Sequence, residues 1–210
     1  MLRVVAGAVA ALAIGIGASL AAASRNGSDS HGCGGHERWD IKVLADDEVT
    51  QIAVNQSLRT TIDSLRSNPT RPEEVGSKTK RIRPVEVTVY RIRAQMQEAK
   101  LEDDRDIHLV VHDEHPEHTM IVEFPDTACE PAKSSPYAQR MAQAREGFYR
   151  LVTRCTGQRP SLSDWTPLTG RATIKGVGFF DIKHGTEQRG RADNNIELHP
   201  VLSFTRGRCG

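Results

Sequence analysis

The sequence predicts a mainly β protein: a five-stranded OB-like barrel with one helix between its third and fourth strands, preceded by an N-terminal arm and a short helix. Three observations predict it. Apolar residues recur with a period of two in five runs between residues 85 and 204; the period switches to the helical one once, after the third run; and Gly176 and Gly178 lie inside the fourth run, where glycine marks a bend at a barrel corner. Three strands, a helix and two strands, with a long first strand, is the order of a Greek-key barrel of this kind, an open α+β sheet being the alternative.

The first 23 residues stand outside that fold. After Met1-Leu2-Arg3 no charged residue occurs until Arg25, and Ala21-Ala22-Ala23 supplies a small-residue cleavage pattern. This reads as a signal peptide over 1–23 and places the protein outside the cytosol: secreted, periplasmic or in the cell envelope. A retained leader would be its one route to a membrane, but the run is rich in Ala and Gly and lacks aromatic or basic anchors at its outer end. The formal charge of +1, from 28 basic and 27 acidic side chains, includes Arg3, so the cleaved chain is formally neutral. That balance argues against a protein held by bulk charge to nucleic acid or an acidic membrane. A chain of 210 residues also excludes a large multidomain enzyme.

Residues 24–36 are Gly- and Ser-rich and read as a flexible segment; its His31, Cys33 and His36 lack a fourth ligand for a metal site. Residues 37–81 form the arm, short helix and linker. Ile41 and Val43 alternate with Asp40 and Lys42, suggesting a short strand or extended arm that buries Trp39. Leu58, Ile62 and Leu65 have helical spacing, ended by Asn68-Pro69, and residues 70–81 are an aperiodic linker. The barrel domain spans 82–206. Val85, Val87 and Val89 open its first strand; Ile107, Leu109 and Val111 mark the second; Met120, Val122 and Phe124 the third. Ser135-Pro136 starts a helix whose apolar face is Tyr137, Met141, Ala144, Phe148, Leu151 and Val152. Ala172, Ile174 and Phe180 mark the fourth strand, Ile196, Leu198, Leu202 and Phe204 the fifth, and 207–210 is a tail. In an oxidising compartment the four cysteines point to disulfides. Cys129 with Cys155, bracketing the helix, and Cys33 with Cys209, joining the ends, is one of three possible pairings.

Several segments together resemble a group of uncharacterised exported bacterial proteins with an OB-like barrel. They are Val-Tyr-Arg-Ile (89–92), Glu-Asp-Asp-Arg-Asp-Ile-His-Leu (102–109), Val-Glu-Phe-Pro-Asp (122–126), Gly-Val-Gly-Phe-Phe-Asp (176–181), His184-Gly185 and Ile-Glu-Leu-His-Pro-Val-Leu (196–202). The resemblance covers the last 120 or so residues and, more weakly, Glu37-Arg38-Trp39. It implies the barrel and export, and it brings no established activity. The basic loop after His184 and the terminal Cys209 depart from the group's pattern.

On such a barrel, ligands meet the second and third strands and the loops joining strands one to two and four to five. The first loop, Glu98 to Asp106, is acidic; the second, Asp181 to Asn195, is basic, and the two could neutralise each other. His108, Glu123, Glu197 and His199 have the parity opposite to the core residues. With Glu102, Asp106 and His184 they form a candidate ligand or metal site, the residue types that hold Zn or another divalent ion. Such an ion could activate a water for hydrolysis. Against this, the spacing matches no recognised metal motif, and the same groups could bond one another and fix the loops. His112, His115 and His118 cluster at a hairpin tip that reads as a solvated turn. Phosphate-loop, nucleophile-elbow and dinucleotide motifs are absent, and 5% aromatic content argues against stacked nucleic-acid bases even if Tyr90 faces outward. The expectation is an exported binding or envelope-associated module of unknown ligand, with a metal-dependent hydrolase as the alternative.

Overall fold

The computed structural model describes residues 1, 32–34, 37–69, 75–182, 189–205 and 207–209. Five long strands close a barrel: β2 (Val89–Leu101), β3 (Ile107–His112), β4 (Thr119–Phe124), β6 (Arg171–Phe180) and β7 (Ile196–Thr205). They follow the order β2-β3-β4-β7-β6, and β6 returns to β2. All pairings around the barrel are antiparallel except β4 with β7. β2 can serve two neighbours because it is 13 residues long: its first half pairs with β6 and its second half with β3. Two two-residue strands, β1 (Leu58–Arg59) and β5 (Thr166–Pro167), extend the sheet along β2.

The barrel interior holds Ile92, Met96, Leu109, Val122, Ile174 and Leu198, all buried. The helix α3 (Ala138–Thr156) lies between β4 and β6 in sequence and packs mainly on β7. Its Phe148 meets Phe124 and Phe204 with ring centroids 5.3 and 5.8 Å apart. The approach is close enough that a Cβ on Gly147 would stand 2.6 Å from the Phe204 carbonyl oxygen. Gly178 is squeezed in the same way, 2.8 Å from the Val85 carbonyl, and β6 shifts register against β7 around Gly176.

Several sequence expectations are corrected at their edges. Trp39 is buried, but by a four-residue helix, α1 (Trp39–Lys42), rather than by an extended arm. The second helix, α2, is confined to Ile62–Arg66, capped by the Thr61 hydroxyl, while Leu58 is exposed on β1. Val85 to Val87 form a 3-10 turn, so the first barrel strand starts at Val89 and runs beyond Met96 to Leu101. This puts Glu98 inside the strand and leaves only residues 102–106 as the first loop. Tyr90 points inward and is buried. Leu202 faces away from the barrel interior, into a second cluster with Trp39, Val43, Leu44, Ile52, Met141 and Val177; Val201 takes the inward place because the bulge changes the parity of β7.

The disulfides join Cys33 to Cys129 and Cys155 to Cys209. Neither expected pair, Cys129 with Cys155 or Cys33 with Cys209, forms: Cys129 lies nine residues before α3 and meets Cys33, while the tail brings Cys209 to the far end of the helix. Nineteen residues of α3 rise about 28 Å, so the two bridges sit near opposite ends of the helix. Among the described residues no helix is long and apolar enough to cross a membrane; the expected leader at 1–23 lies outside the described residues apart from Met1.

Candidate metal centre

Strand pairing assembles a buried polar centre on the outer side of the barrel wall. His108 on β3 stands directly opposite Glu123 on β4, and Glu197 on β7 lies opposite both Ile121 on β4 and Phe179 on β6. His199 follows Glu197 by two residues along β7. Asp106 enters from the loop just before β3, where its Oδ1 accepts the Asp126 amide. The helix α1 closes over this face: the Trp39 ring stands edge-on to His199 at 6.3 Å, and Phe179 flanks the same imidazole at 5.9 Å. Trp165 covers His108 at 5.2 Å. None of Asp106, His108, Glu123, Glu197 and His199 is more than 6% exposed.

Glu123 is the hub. Its Oε1 lies 3.3 Å from His108 Nδ1, and its Oε2 lies 2.9 Å from His199 Nδ1. The His108 Nε2–H donates to the Arg189 carbonyl at 3.1 Å, which turns Nδ1 toward the carboxylate. His199 Nδ1–H donates to Glu197 Oε1 at 3.2 Å. On the other side of that ring, Nε2 faces Asp106 Oδ2 at 3.3 Å, yet neither atom has a hydrogen-bond partner. They are near enough to attract but are not aligned to share a proton well. One donor atom from each of Asp106, Glu123 and His199 lies within 4.8 Å of the other two.

Burial drives the electrostatics. It pushes the Asp106 carboxyl up to about 6 despite the opposing pull of His199. Burial, followed by the neighbouring Glu123 and Asp181 charges, pushes Glu197 up to about 7. Glu123 resists the same burial because His199, His108 and Lys42 surround it, and its carboxyl is held well below the ordinary range. Both imidazoles are desolvated as well, but the carboxylates outweigh this and raise them, His199 to well above its ordinary value. The centre thus holds protons that an ion could replace.

Among the sequence-derived site residues, Asp106, His108, Glu123, Glu197 and His199 converge. Glu102 stays at the rim, 3.9 Å from His108. His184 lies outside the described residues, as do His31 and His36, while Cys33 is consumed by its disulfide. The His112–His118 tip is apart: His118 pairs with Asp63 at 2.8 Å. The basic loop does reach one acid expected in the first loop, Arg189 with Glu98 at 3.0 Å, although Glu98 stands on β2.

Sequence reasoning missed the covering cation. Lys42 on α1 pairs with Asp181 at 3.1 Å, and its ammonium is held protonated because Asp181, Glu197 and Glu123 outweigh burial. Beside it Arg38, buried, forks onto both Glu86 oxygens at 2.9 and 2.5 Å and stacks over Phe179 at 4.7 Å. No local signal marks these contacts, since the partners are far apart in sequence. No protein-family model, no curated protein and no solved structure matches the chain.

Proposed function

We propose that this protein is an exported binding module whose barrel carries a closed divalent-cation centre formed by Asp106, Glu123 and His199. The supporting observation is the unpartnered pair facing each other across 3.3 Å, His199 Nε2 and Asp106 Oδ2. In the metal-free centre His199 is held protonated, so its Nε2–H faces the Asp106 carboxylate, and an ion would take the place of that proton. Two donors on a tetrahedral ion with bonds near 2.0–2.1 Å stand about 3.3 Å apart. One imidazole and two carboxylates suit Zn2+ or a similar ion; Glu123, which meets His199 at Nδ1, would turn toward the Nε2 side to complete the set, while Glu197 stays on Nδ1 as the outer partner that orients the ring.

Three protein donors leave a fourth position for a bound water, but the centre's enclosure favours a structural ion over a hydrolytic one. Catalytic ions keep an open position for water and substrate, while here Trp39, Phe179 and Lys42 close the face. The two disulfides fit an exported chain.

The test is metal content of protein purified without chelator, with folding followed by circular dichroism. About one equivalent of divalent metal is expected, with at least a tenfold loss of affinity in Asp106→Asn and Glu123→Gln, which keep side-chain volume. A folded wild-type protein that neither contains nor takes up Zn2+, Mn2+ or Ca2+ overturns the proposal.

A further inference from the structure

A second feature lies on another part of the barrel and shares no residue with the metal centre. A cavity of about 870 Å³ opens where the outer faces of β2 and β6 meet the β3–β4 hairpin tip, α2 and the C-terminal tail. Its basic wall is Arg93, Arg171 and Arg208. Arg93 stands opposite Thr173 and Arg171 opposite Gln95, so the two arginines are diagonal neighbours on one sheet face. Cross-strand diagonals are roughly 7–8 Å apart. Arg208 is brought alongside by the tail, whose carbonyl at Arg208 accepts the Arg171 amide at 2.9 Å and whose next residue is tied to α3 through Cys155–Cys209.

None of the three guanidinium groups makes a hydrogen bond or ion pair among the described residues, although like charges held together repel. The facing acids Asp63, Asp113 and Glu114 balance them in charge but form no direct pair with them among the described residues. Asp113 accepts the Ile62 amide at 2.5 Å, and Asp63 is paired with His118. Glu114 on that wall has no ion pair or hydrogen bond among the described residues. The cavity therefore keeps an excess of forked N–H donors on one side and carboxylate acceptors with spare lone pairs on the other. Guanidinium forks match phosphate oxygens, and carboxylate lone pairs accept from hydroxyl groups. The volume falls in the range of small-ligand sites.

We infer that this cavity binds a soluble sugar phosphate or polyol phosphate, with the phosphate on Arg93, Arg171 and Arg208 and the hydroxyls toward Asp113 and Glu114. The site gives the module a ligand class and does not depend on the buried ion.

The experiment is calorimetric titration of the mature, oxidised protein with glucose 6-phosphate, inorganic phosphate and glucose at low ionic strength. Glucose 6-phosphate is expected to bind at least tenfold more tightly than inorganic phosphate, and glucose not at all. Arg93→Gln and Arg171→Gln should each weaken binding about tenfold, while Lys133→Gln, on a remote 3-10 turn, leaves it unchanged. Absence of glucose 6-phosphate binding by folded protein overturns the inference. So does wild-type affinity in the Arg93→Gln/Arg171→Gln double variant, or retention on phosphatidylglycerol vesicles without sugar-phosphate binding. Metal content is measured on the same samples, so failure here is distinguishable from failure of the ion centre.

Discussion

His199 has a protonation state that decides the character of its surroundings. As an imidazolium it satisfies Glu123, Glu197 and Asp106 at once; as a neutral ring it leaves Asp106 facing a lone pair across 3.3 Å. The raised carboxyls work in the same sense. Asp106 ordinarily loses its proton near 3.8 and here near 6, and Glu197 near 4.5 and here near 7. Between these values the folded chain binds more protons than the unfolded one, so stability falls as pH rises through the window. His199, raised above 6.5, stabilises fully below that value and loses its contribution as pH climbs through its folded one. Glu123 is opposite: its contribution is present above about 4.5 and is lost as acid protonates it. Metal-free protein is therefore expected to be more stable to urea at pH 5.5 than at pH 7.5. Each tenfold change in proton affinity is worth about 1.4 kcal/mol; most of the Asp106 window lies below pH 5.5, so Glu197 and His199 carry most of the difference between the two pH values. Saturating Zn2+ should reverse the order, because the ion requires deprotonated ligands. Urea midpoints at both pH values, with chelator and with Zn2+, check this; chelated protein that gains stability from pH 5.5 to 7.5 contradicts it.

At the scale of elements, α3 and β7 show how close packing overrides local propensity. Alanine is a better helix former than glycine by about 1 kcal/mol, so Gly147→Ala should stabilise an isolated α3. In the protein the new methyl would stand 2.6 Å from a backbone oxygen of Phe204, which cannot rotate away. Overpacking of this kind costs about 1–3 kcal/mol, and the variant is expected to lose roughly 1–2 kcal/mol against urea. Gln143→Ala, on the exposed face of the same helix, should change stability little; equal behaviour of the two would show that α3 can shift from β7. The same elements explain what the sequence made legible. Regular strands convert parity into side, so His108, Glu123, Glu197 and His199 could be placed on one face from alternation alone. Alternation failed where the backbone leaves the strand period. Val85 to Val87 alternate in sequence but coil as a 3-10 turn, and the bulge on β7 exchanges the sides of Val201 and Leu202. The four-residue helix that carries Lys42 is too short to show a period of its own.

Across the whole molecule, the two disulfides anchor different parts of the barrel's surroundings. Cys33–Cys129 ties the start of the arm that covers the metal centre, and Cys155–Cys209 ties the tail that forms one wall of the arginine cavity. The arm has further attachments: Lys42 to Asp181, Arg38 to Glu86, Arg81 to Asp46, and the Ser135 hydroxyl donating to the Leu44 carbonyl at 2.9 Å. Such long-range pairs carry no local sequence signature, which is why the cover was not legible although the face beneath it was. Closing loops with sequence separations of 96 and 54 removes chain entropy worth about 4–5 kcal/mol in each case. Stability alone therefore does not distinguish the bridges, but metal exchange does. Cys33→Ser/Cys129→Ser frees the segment leading into α1, whose Trp39 covers His199, and should speed loss of bound Zn2+ to a chelator about tenfold or more, since local opening then exposes the ion. Cys155→Ser/Cys209→Ser should lose similar stability, keep slow metal exchange, and weaken glucose 6-phosphate binding by displacing Arg208. Stopped-flow chelation of Zn2+-loaded variants, run well below their unfolding midpoints, reads the difference directly. Equal exchange rates in the two variants would mean that the arm does not gate the centre, and that its enclosure depends on the ion pairs alone.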